Sequence, residues 1–321
     1  MTRSHIFGPV LSRRLGLSLG IDLVPFKTCS YDCVYCECGH TTIKTIARQD
    51  FFPAEEVTAE LGWILASRPR LDSVTLAGSG EPTLARSLGT VITFVKHGFP
   101  EYTLSVLTNG SLLSDHSVQR ELALADRVIP TLTTASQKTF ERIHRPHPAL
   151  KIDAIIDGMA NFRRTFGGAL WLEVFIIPGL NTTEEELAGL RAVIDRIDPA
   201  CVQLNTVDRP PAEGWVEPAS GEELERVSRA LGRPGTALVS RRLPISPAIP
   251  GKTRATDLIR TTLERRPSTV EDLVRTTGRS GGEVVKILGA LEQAGEVTSQ
   301  RMDRGVFYRF CRKPEEGEEK P

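Results

Sequence analysis

Cys29, Cys33 and Cys36 fall at spacing C-x3-C-x2-C within Cys29-Ser30-Tyr31-Asp32-Cys33-Val34-Tyr35-Cys36. Thiolates are the preferred ligands of iron in iron–sulfur clusters, and one short loop can wrap three of them around a single cluster. A fourth ligand would complete a cubane; three leave one iron open to a small molecule. Cys38 lies close enough to supply a fourth thiolate. Zinc also takes thiolates, so the spacing admits it as well. The reading without chemistry is three buried, inert cysteines. Cys201 and Cys311 stand far from the loop in apolar runs and read as small buried hydrophobes.

Further polar signals recur along the chain. Gly78-Ser79-Gly80-Glu81-Pro82 combines glycines, which permit close backbone approach, with a carboxylate that can accept from an ammonium. By itself it is also an ordinary turn. Thr108-Asn109-Gly110 is a strand-ending turn or a ligand contact, since Asn tolerates the left-handed conformation. Pro178-Gly179 follows another strand in the same way. Arg145-Pro146-His147-Pro148 places a cation and an imidazole where they could hold an anionic or nucleobase substrate, or simply face solvent. Gln203 and Asn205 sit inside a strand that should be buried, with Arg209 just beyond it. Buried polar groups need partners, either a bound molecule or neighbouring protein.

The cysteine spacing, with aromatic Tyr35 directly before the third cysteine, resembles the radical S-adenosylmethionine (radical SAM) superfamily. The run Phe7-Gly8-Pro9, Ser12-Arg13-Arg14-Leu15-Gly16 and Pro25-Phe26-Lys27-Thr28-Cys29 is similar to bacterial and archaeal members related to the tRNA-wyosine synthases. The resemblance covers residues 6–218. It implies a [4Fe–4S] cluster on Cys29, Cys33 and Cys36, with S-adenosylmethionine (SAM) chelated at the free iron. One electron would cleave SAM to methionine and a 5′-deoxyadenosyl radical. The resemblance further implies that Gly78, Gly80, Glu81, Thr108, Asn109, Pro178 and Tyr35 surround SAM. No residue is assigned to catalysis on the substrate; Arg145, His147, Gln203, Asn205 and Arg209 are the substrate candidates. Two departures stand out. Thr133-Thr134 occupies the place after the fourth strand where relatives commonly carry an acid, and no cysteine precedes Cys29 to bind a second cluster. The implied substrate is RNA, tRNA in the first place. A protein side chain or small molecule is the alternative, and a cluster-based redox-sensing transcription regulator is another.

These loops need a scaffold. At 321 residues the chain suits one large and one small domain, or two medium ones. Its 40 Lys/Arg balance 40 Asp/Glu, so overall charge points to neither nucleic acid nor membrane. No long uncharged apolar run and no signal-like start are visible, which predicts a cytoplasmic chain with reduced thiols. Strands are expected over 21–24, 73–77, 104–108, 127–131, 169–177 and 201–206. Helices are expected from Pro53 with Val57, Leu61, Ile64 and Leu65 inward, and over 84–97, 114–125, 137–143, 152–166 and 220–231. Ser114 and Thr182 read as caps, the second opening a helix rich in Glu184, Glu185 and Glu186. Alternation of this kind predicts an α/β fold with parallel strands. A doubly wound open sheet remains an alternative. The superfamily resemblance implies a partial (β/α)6 TIM-like barrel with its site at the C-terminal strand ends.

This core is expected over residues 1–240. Pro244, Pro247 and Pro250 mark 241–253 as a linker. Residues 254–312 read as three helices, 255–264, from a Ser268 or Thr269 cap to 276, and 283–294, then a hairpin of 296–301 and 306–310. That pattern predicts a small C-terminal winged-helix domain, followed by an acidic disordered tail, 313–321. Residues 252–313 carry 13 Lys/Arg against 8 Asp/Glu, with Arg301, Arg304 and Arg309 on the wing. A nucleic-acid backbone would suit that wing, although the third helix offers only Lys286. A flavodoxin or ferredoxin is the expected electron donor.

Overall fold

The computed structural model describes residues 4–233, 236–239 and 255–311. The expected linker and acidic tail lie outside the described residues. Two compact units divide the chain, Met1–Leu243 and Pro244–Pro321.

The first unit opens with a hairpin missed in the sequence, β1 (Ile6–Ser12) antiparallel to β2 (Gly16–Ile21). The strand expected at 21–24 is therefore displaced toward the N-terminus. Its short polar–apolar alternation, Leu17, Leu19 and Ile21, is diluted by glycines. β3 (Thr28–Cys29) and β4 (Ile43–Lys44) form a two-residue ladder that pins both ends of the cysteine segment. Then follow α1 (Ala54–Leu65), β5 (Ser73–Leu76), α2 (Leu88–Gly98), β6 (Leu104–Thr108), α3 (His116–Leu122), β7 (Arg127–Pro130), α4 (Gln137–His144), α5 (Ile152–Thr165), β8 (Ala169–Phe175), α6 (Glu184–Ile197), β9 (Cys201–Asn205), α7 (Gly221–Leu231) and β10 (Thr236–Leu238).

Hydrogen bonding orders the sheet β1-β2-β5-β6-β7-β8-β9-β10, parallel from β2 onward. Each new strand joins the same edge. A doubly wound sheet would reverse direction at a switch point, so this order is that of an open barrel. Right-handed crossovers then keep the helices on one face and gather the strand C-termini at one end. Even-numbered residues of β8 and β9 (Leu172, Val174, Val202, Leu204) belong to the apolar core. The odd-numbered Glu173, Gln203 and Asn205 project to the other face, because side chains alternate. Helix α1 buries Val57, Leu61 and Leu65 completely. At roughly 1.5–3 kcal/mol per large apolar side chain, that stripe outweighs the weakness of an uncapped helix start.

Two caps differ from expectation by one residue. Asp115, not Ser114, accepts from Ser117 N at the start of α3, and Thr183, not Thr182, accepts from Glu186 N at the start of α6. In each case the neighbouring residue is an equally good cap chemically, so only backbone geometry selects.

The second unit runs α8 (Ala255–Leu263), β11 (Ser268–Thr269), α9 (Val270–Thr277), α10 (Gly281–Gln293), β12 (Val297–Met302) and β13 (Gly305–Phe310). Its sheet has the order β11-β13-β12. Ile259, Leu263, Leu273, Val284, Leu288, Leu291 and Val297 form its own core. Capping boxes at Thr269/Asp272 and Ser280/Glu283 start α9 and α10. Strand β11 was not anticipated, since two residues are too few for a periodic signal. Among the described residues no helix is long and apolar enough to cross a membrane.

Candidate functional site

The cysteine segment lies across the C-terminus of α4. Asp32 N donates to the His144 carbonyl (2.9 Å) and Val34 N to the Ile143 carbonyl (2.9 Å). A helix ends with carbonyls that lack intrahelical donors; here the loop satisfies two of them and is fixed in return. His147 N donates to Ser30 O, Glu213 N to Val34 O and Thr45 N to Cys29 O. Tyr31, 2% exposed, packs edge-on against Phe140. Tyr35 stacks on Phe175 with ring centroids 3.9 Å apart. The loop is thus tied to α4, to β8 and to the segments at His147, Glu213 and Thr45.

Cys29, Cys33 and Cys36 are electrostatic neighbours, and burial first, then the other two thiolates, pushes the Cys33 thiol up. Among the described residues no three His, Cys, Asp or Glu side chains converge tightly enough to hold one metal ion. The donor set, three thiols on one loop, is the one that iron–sulfur clusters take. Cys38 shares a hydrogen bond with Cys36. That bond is the largest influence holding Cys36 down, with Lys27 helping against burial; the same bond and burial push Cys38 up.

Each of the three thiols meets one side-chain nitrogen. Lys27 Nζ stands 3.1 Å from Cys36 Sγ, His144 Nδ1 3.2 Å from Cys33 Sγ and Asn109 Nδ2 3.6 Å from Cys29 Sγ. Burial disfavours the Lys27 ammonium, but Cys36, Cys38 and Cys29 outweigh it and hold it charged. Burial pushes the His144 imidazole down to about 3, so it is neutral, and its Nε2 faces Thr133 Oγ1 at 2.6 Å.

The glycine–glutamate turn serves the fold closely. A side chain on Gly80 would run into the Thr28 carbonyl, and one on Gly78 into the Asp22 carboxylate. Glu81, 2% exposed, accepts from Thr83 N (3.0 Å), Thr83 Oγ1 (2.6 Å), Thr108 Oγ1 (2.7 Å) and Asn109 N (2.7 Å). Burial raises its pKa, against the pull of these donors. It clamps the loop after β5 to the loop after β6. Asn109 is likewise engaged: its amide nitrogen donates to Ser30 Oγ (2.8 Å) and its oxygen accepts from Ser111 N (2.9 Å). Pro178 and exposed Gly179 form a turn in which Gly179 N donates to Thr182 Oγ1.

The substrate candidates divide. Arg145 pairs with Glu213 (2.6 Å) and Asp32 (3.9 Å); with His147 it lines a cleft of about 280 Å³ that Lys44, Glu141 and Leu150 complete. Arg209, nearly buried, pairs with Glu37 (3.0 Å) and Asp208 (3.8 Å), and Arg13 joins the same acids. Asn205 Nδ2 donates to Glu173 Oε1 (2.8 Å), whereas Gln203 Oε1 is buried with no hydrogen-bond partner.

Glu173 was missed in the sequence. It accepts from Arg14, from Thr131 Oγ1 (2.9 Å) and from Asn205, joining β7, β8, β9 and the β1–β2 turn. A lone carboxylate in the otherwise apolar run Ala169-Leu-Trp-Leu-Glu173-Val-Phe was the signal. Glu173→Ala leaves Arg14 and Asn205 without their acceptor. It is expected to cost about 3–5 kcal/mol of unfolding free energy in urea titration, and a loss below about 1 kcal/mol would deny Glu173 this role.

Comparison with known proteins follows the same lines. Residues 23–190 match the Radical SAM superfamily. A protein called GTPase Obg from Brachyspira hyodysenteriae is 33% identical over 95% of this chain and 45% of its own length. A UPF0026 protein of Methanocaldococcus jannaschii is 34% identical over 69% of each chain. A crystal structure of a radical SAM methyltransferase from Sphaerobacter thermophilus superposes with TM-score 0.54 at 15% identity, covering 69% of this chain and 64% of that one. The chain thus spans less than half of the Brachyspira relative's length and about two thirds of the other two.

Proposed function

The chain belongs to the radical SAM superfamily, and from that premise we propose that it modifies RNA, with tRNA as the substrate. It is a radical SAM enzyme, and its cofactors are a [4Fe–4S] cluster and SAM. The observation that carries the reading is the loop of three neighbouring thiols, tied to the end of α4 at the C-terminal edge of a parallel sheet.

Cys29, Cys33 and Cys36 would hold the cluster. When bound, it supplies one electron that splits SAM into methionine and a 5′-deoxyadenosyl radical. The chain's own contribution is binding and shielding. Buried Tyr31 and the Tyr35–Phe175 stack hold the loop in place and cover part of it. Gly78 and Gly80 offer backbone to SAM, and Glu81 keeps that backbone aligned with Thr108 and Asn109. Most of its accepting capacity is taken, so an ammonium would find only the second lone pair of Oε2. Pro178 borders the same strand ends. Gln203 Oε1 is a buried acceptor with no hydrogen-bond partner, which a substrate N–H or O–H reaching it would satisfy. Arg145 and His147 line a cleft that suits an anion or base, and Arg209 organises the acids beside it.

For the second unit, the order helix–strand–helix–helix–hairpin supports a winged helix. Exposed Arg301 and half-buried Arg309 support contact with phosphates, whereas Arg304 is held by Asp272. The similarity of the Pro25–Cys29 run to wyosine-synthase relatives supports tRNA over other RNA. A flavodoxin- or ferredoxin-like carrier would deliver the electron.

The test is anaerobic. Protein reconstituted with iron and sulfide receives SAM and dithionite, and 5′-deoxyadenosine is quantified with and without tRNA. Release that rises with tRNA is expected. The double variant R301E/R309E should bind tRNA about tenfold more weakly at low salt, in proportion to lost phosphate contacts. Release that responds instead to a peptide or nucleotide would move the substrate to a protein or small molecule. An intact cluster with no SAM cleavage under any condition would favour a redox sensor.

A further inference from the structure

The three side-chain nitrogens that meet the three thiols come from separate places. Lys27 precedes the loop, Asn109 follows β6 and His144 ends α4. Sequence distances of 9, 80 and 111 residues separate them from their sulfurs. Two of the three are deeply buried, Lys27 at 3% and His144 at 2% exposure. Lys27 also holds a left-handed backbone, φ 57°. A non-glycine residue keeps that conformation only where its surroundings require it. Here its N–H donates to Ser79 O, and its carbonyl accepts from Thr42 N and Ile43 N. The backbone is bent so that an ammonium is delivered beside Cys36.

We propose that Lys27, His144 and Asn109 act as one donor set, one side-chain nitrogen to each thiolate of the loop, and that this set tunes how readily the bound cluster accepts its electron. The proposal rests on the reading that this loop holds the cluster. A ligating thiolate can only accept, so His144 donates through Nδ1–H. Its neutral ring then accepts at Nε2 from the Thr133 hydroxyl, 2.6 Å away. The threonine thus fixes the tautomer. Asn109 divides its two N–H groups between Ser30 and Cys29.

Reduction adds one electron, taken from a low-potential one-electron donor, to a cluster whose ligands are already anionic. Hydrogen bonds to the sulfurs and a fixed cation nearby stabilise the more negative state and raise the potential. Lys27 adds a full charge and should dominate. These are positioning residues: they touch the ligand sulfurs and not the reacting carbon or sulfur of SAM.

The experiment is a redox titration of the reconstituted full-length protein followed by electron paramagnetic resonance. At the potential where the wild type is half reduced, Lys27→Met should lower the ratio of reduced to oxidised cluster at least about tenfold, which is about 59 mV for one electron. His144→Phe keeps the ring packing and loses the N–H; it should lower the ratio roughly threefold, with Lys27→Arg close to wild type. Unchanged potentials with full iron content in both Lys27→Met and His144→Phe would overturn the proposal. If a variant takes up no iron, wild-type protein carrying 15N-lysine and 15N-histidine decides. Nitrogen couplings to the reduced cluster are expected in pulsed spectra, and absence of both would overturn it. A wild type that assembles no cluster would instead defeat the reading of the loop itself.

Discussion

Cys33→Ala is expected to yield a folded chain that retains almost no iron after reconstitution and forms no 5′-deoxyadenosine from SAM and dithionite. The wild type should hold about four irons per chain. Cys38→Ala should retain both cluster and cleavage. The contrast follows from position: Cys33 lies inside the C-x3-C-x2-C run that carries the superfamily resemblance, and Cys38 lies beyond it. Cys36 is held down by its hydrogen bond with Cys38 and by the Lys27 ammonium, which favours the thiolate that binds iron. Cys38 is pushed up by the same hydrogen bond and by burial, as burial also pushes up Cys33 and Cys29. Iron analysis, the visible absorption of the cluster and chromatography of the nucleoside product read the outcome together. A Cys38→Ala protein without cluster would mean four thiolates and no iron free for SAM, and the enzymatic reading would fail with it.

The second large effect concerns stability. Glu81→Ala should cost about 3–5 kcal/mol in urea denaturation of the metal-free chain, because it leaves the Thr83 and Asn109 amides and two threonine hydroxyls without their acceptor. Glu81→Gln keeps the shape but places an NH2 among donors, so it should recover only part of the loss. The carboxylate is buried against its own preference, with its pKa raised by desolvation. Removing one charged member from such a site strands its partners. A Glu81→Ala protein within about 1 kcal/mol of wild type would show that water replaces the clamp. Glu81 would then be free to serve SAM alone.

Much of this was legible in the chain. Three cysteines in eight residues are a local pattern, and a cluster loop needs only local spacing to be recognised. Strand–loop–helix recurrence is local too, since periods of 2 and 3.6 are set by neighbours in sequence. The parallel strands and their helices therefore fell close to where the pattern placed them. The exceptions were the Gly-diluted hairpin β1–β2, the two-residue β3, β4 and β11, and the late strand β10. Glu81, Asn109 and Arg209 were recognisable as unusual, but their partners were not.

Partners are what only the tertiary structure decided. Arg14 reaches Glu173 across 159 residues and His144 reaches Cys33 across 111. No spacing rule covers such distances. They are set by the order in which strands join the sheet edge and by the alternation that turns Glu173, Gln203 and Asn205 to one face. The sequence by itself determined that three thiolates share a loop and that a parallel sheet supports it. The packed sheet decided which donors meet those sulfurs, because burial forces each polar group to find whatever partner the topology brings within reach.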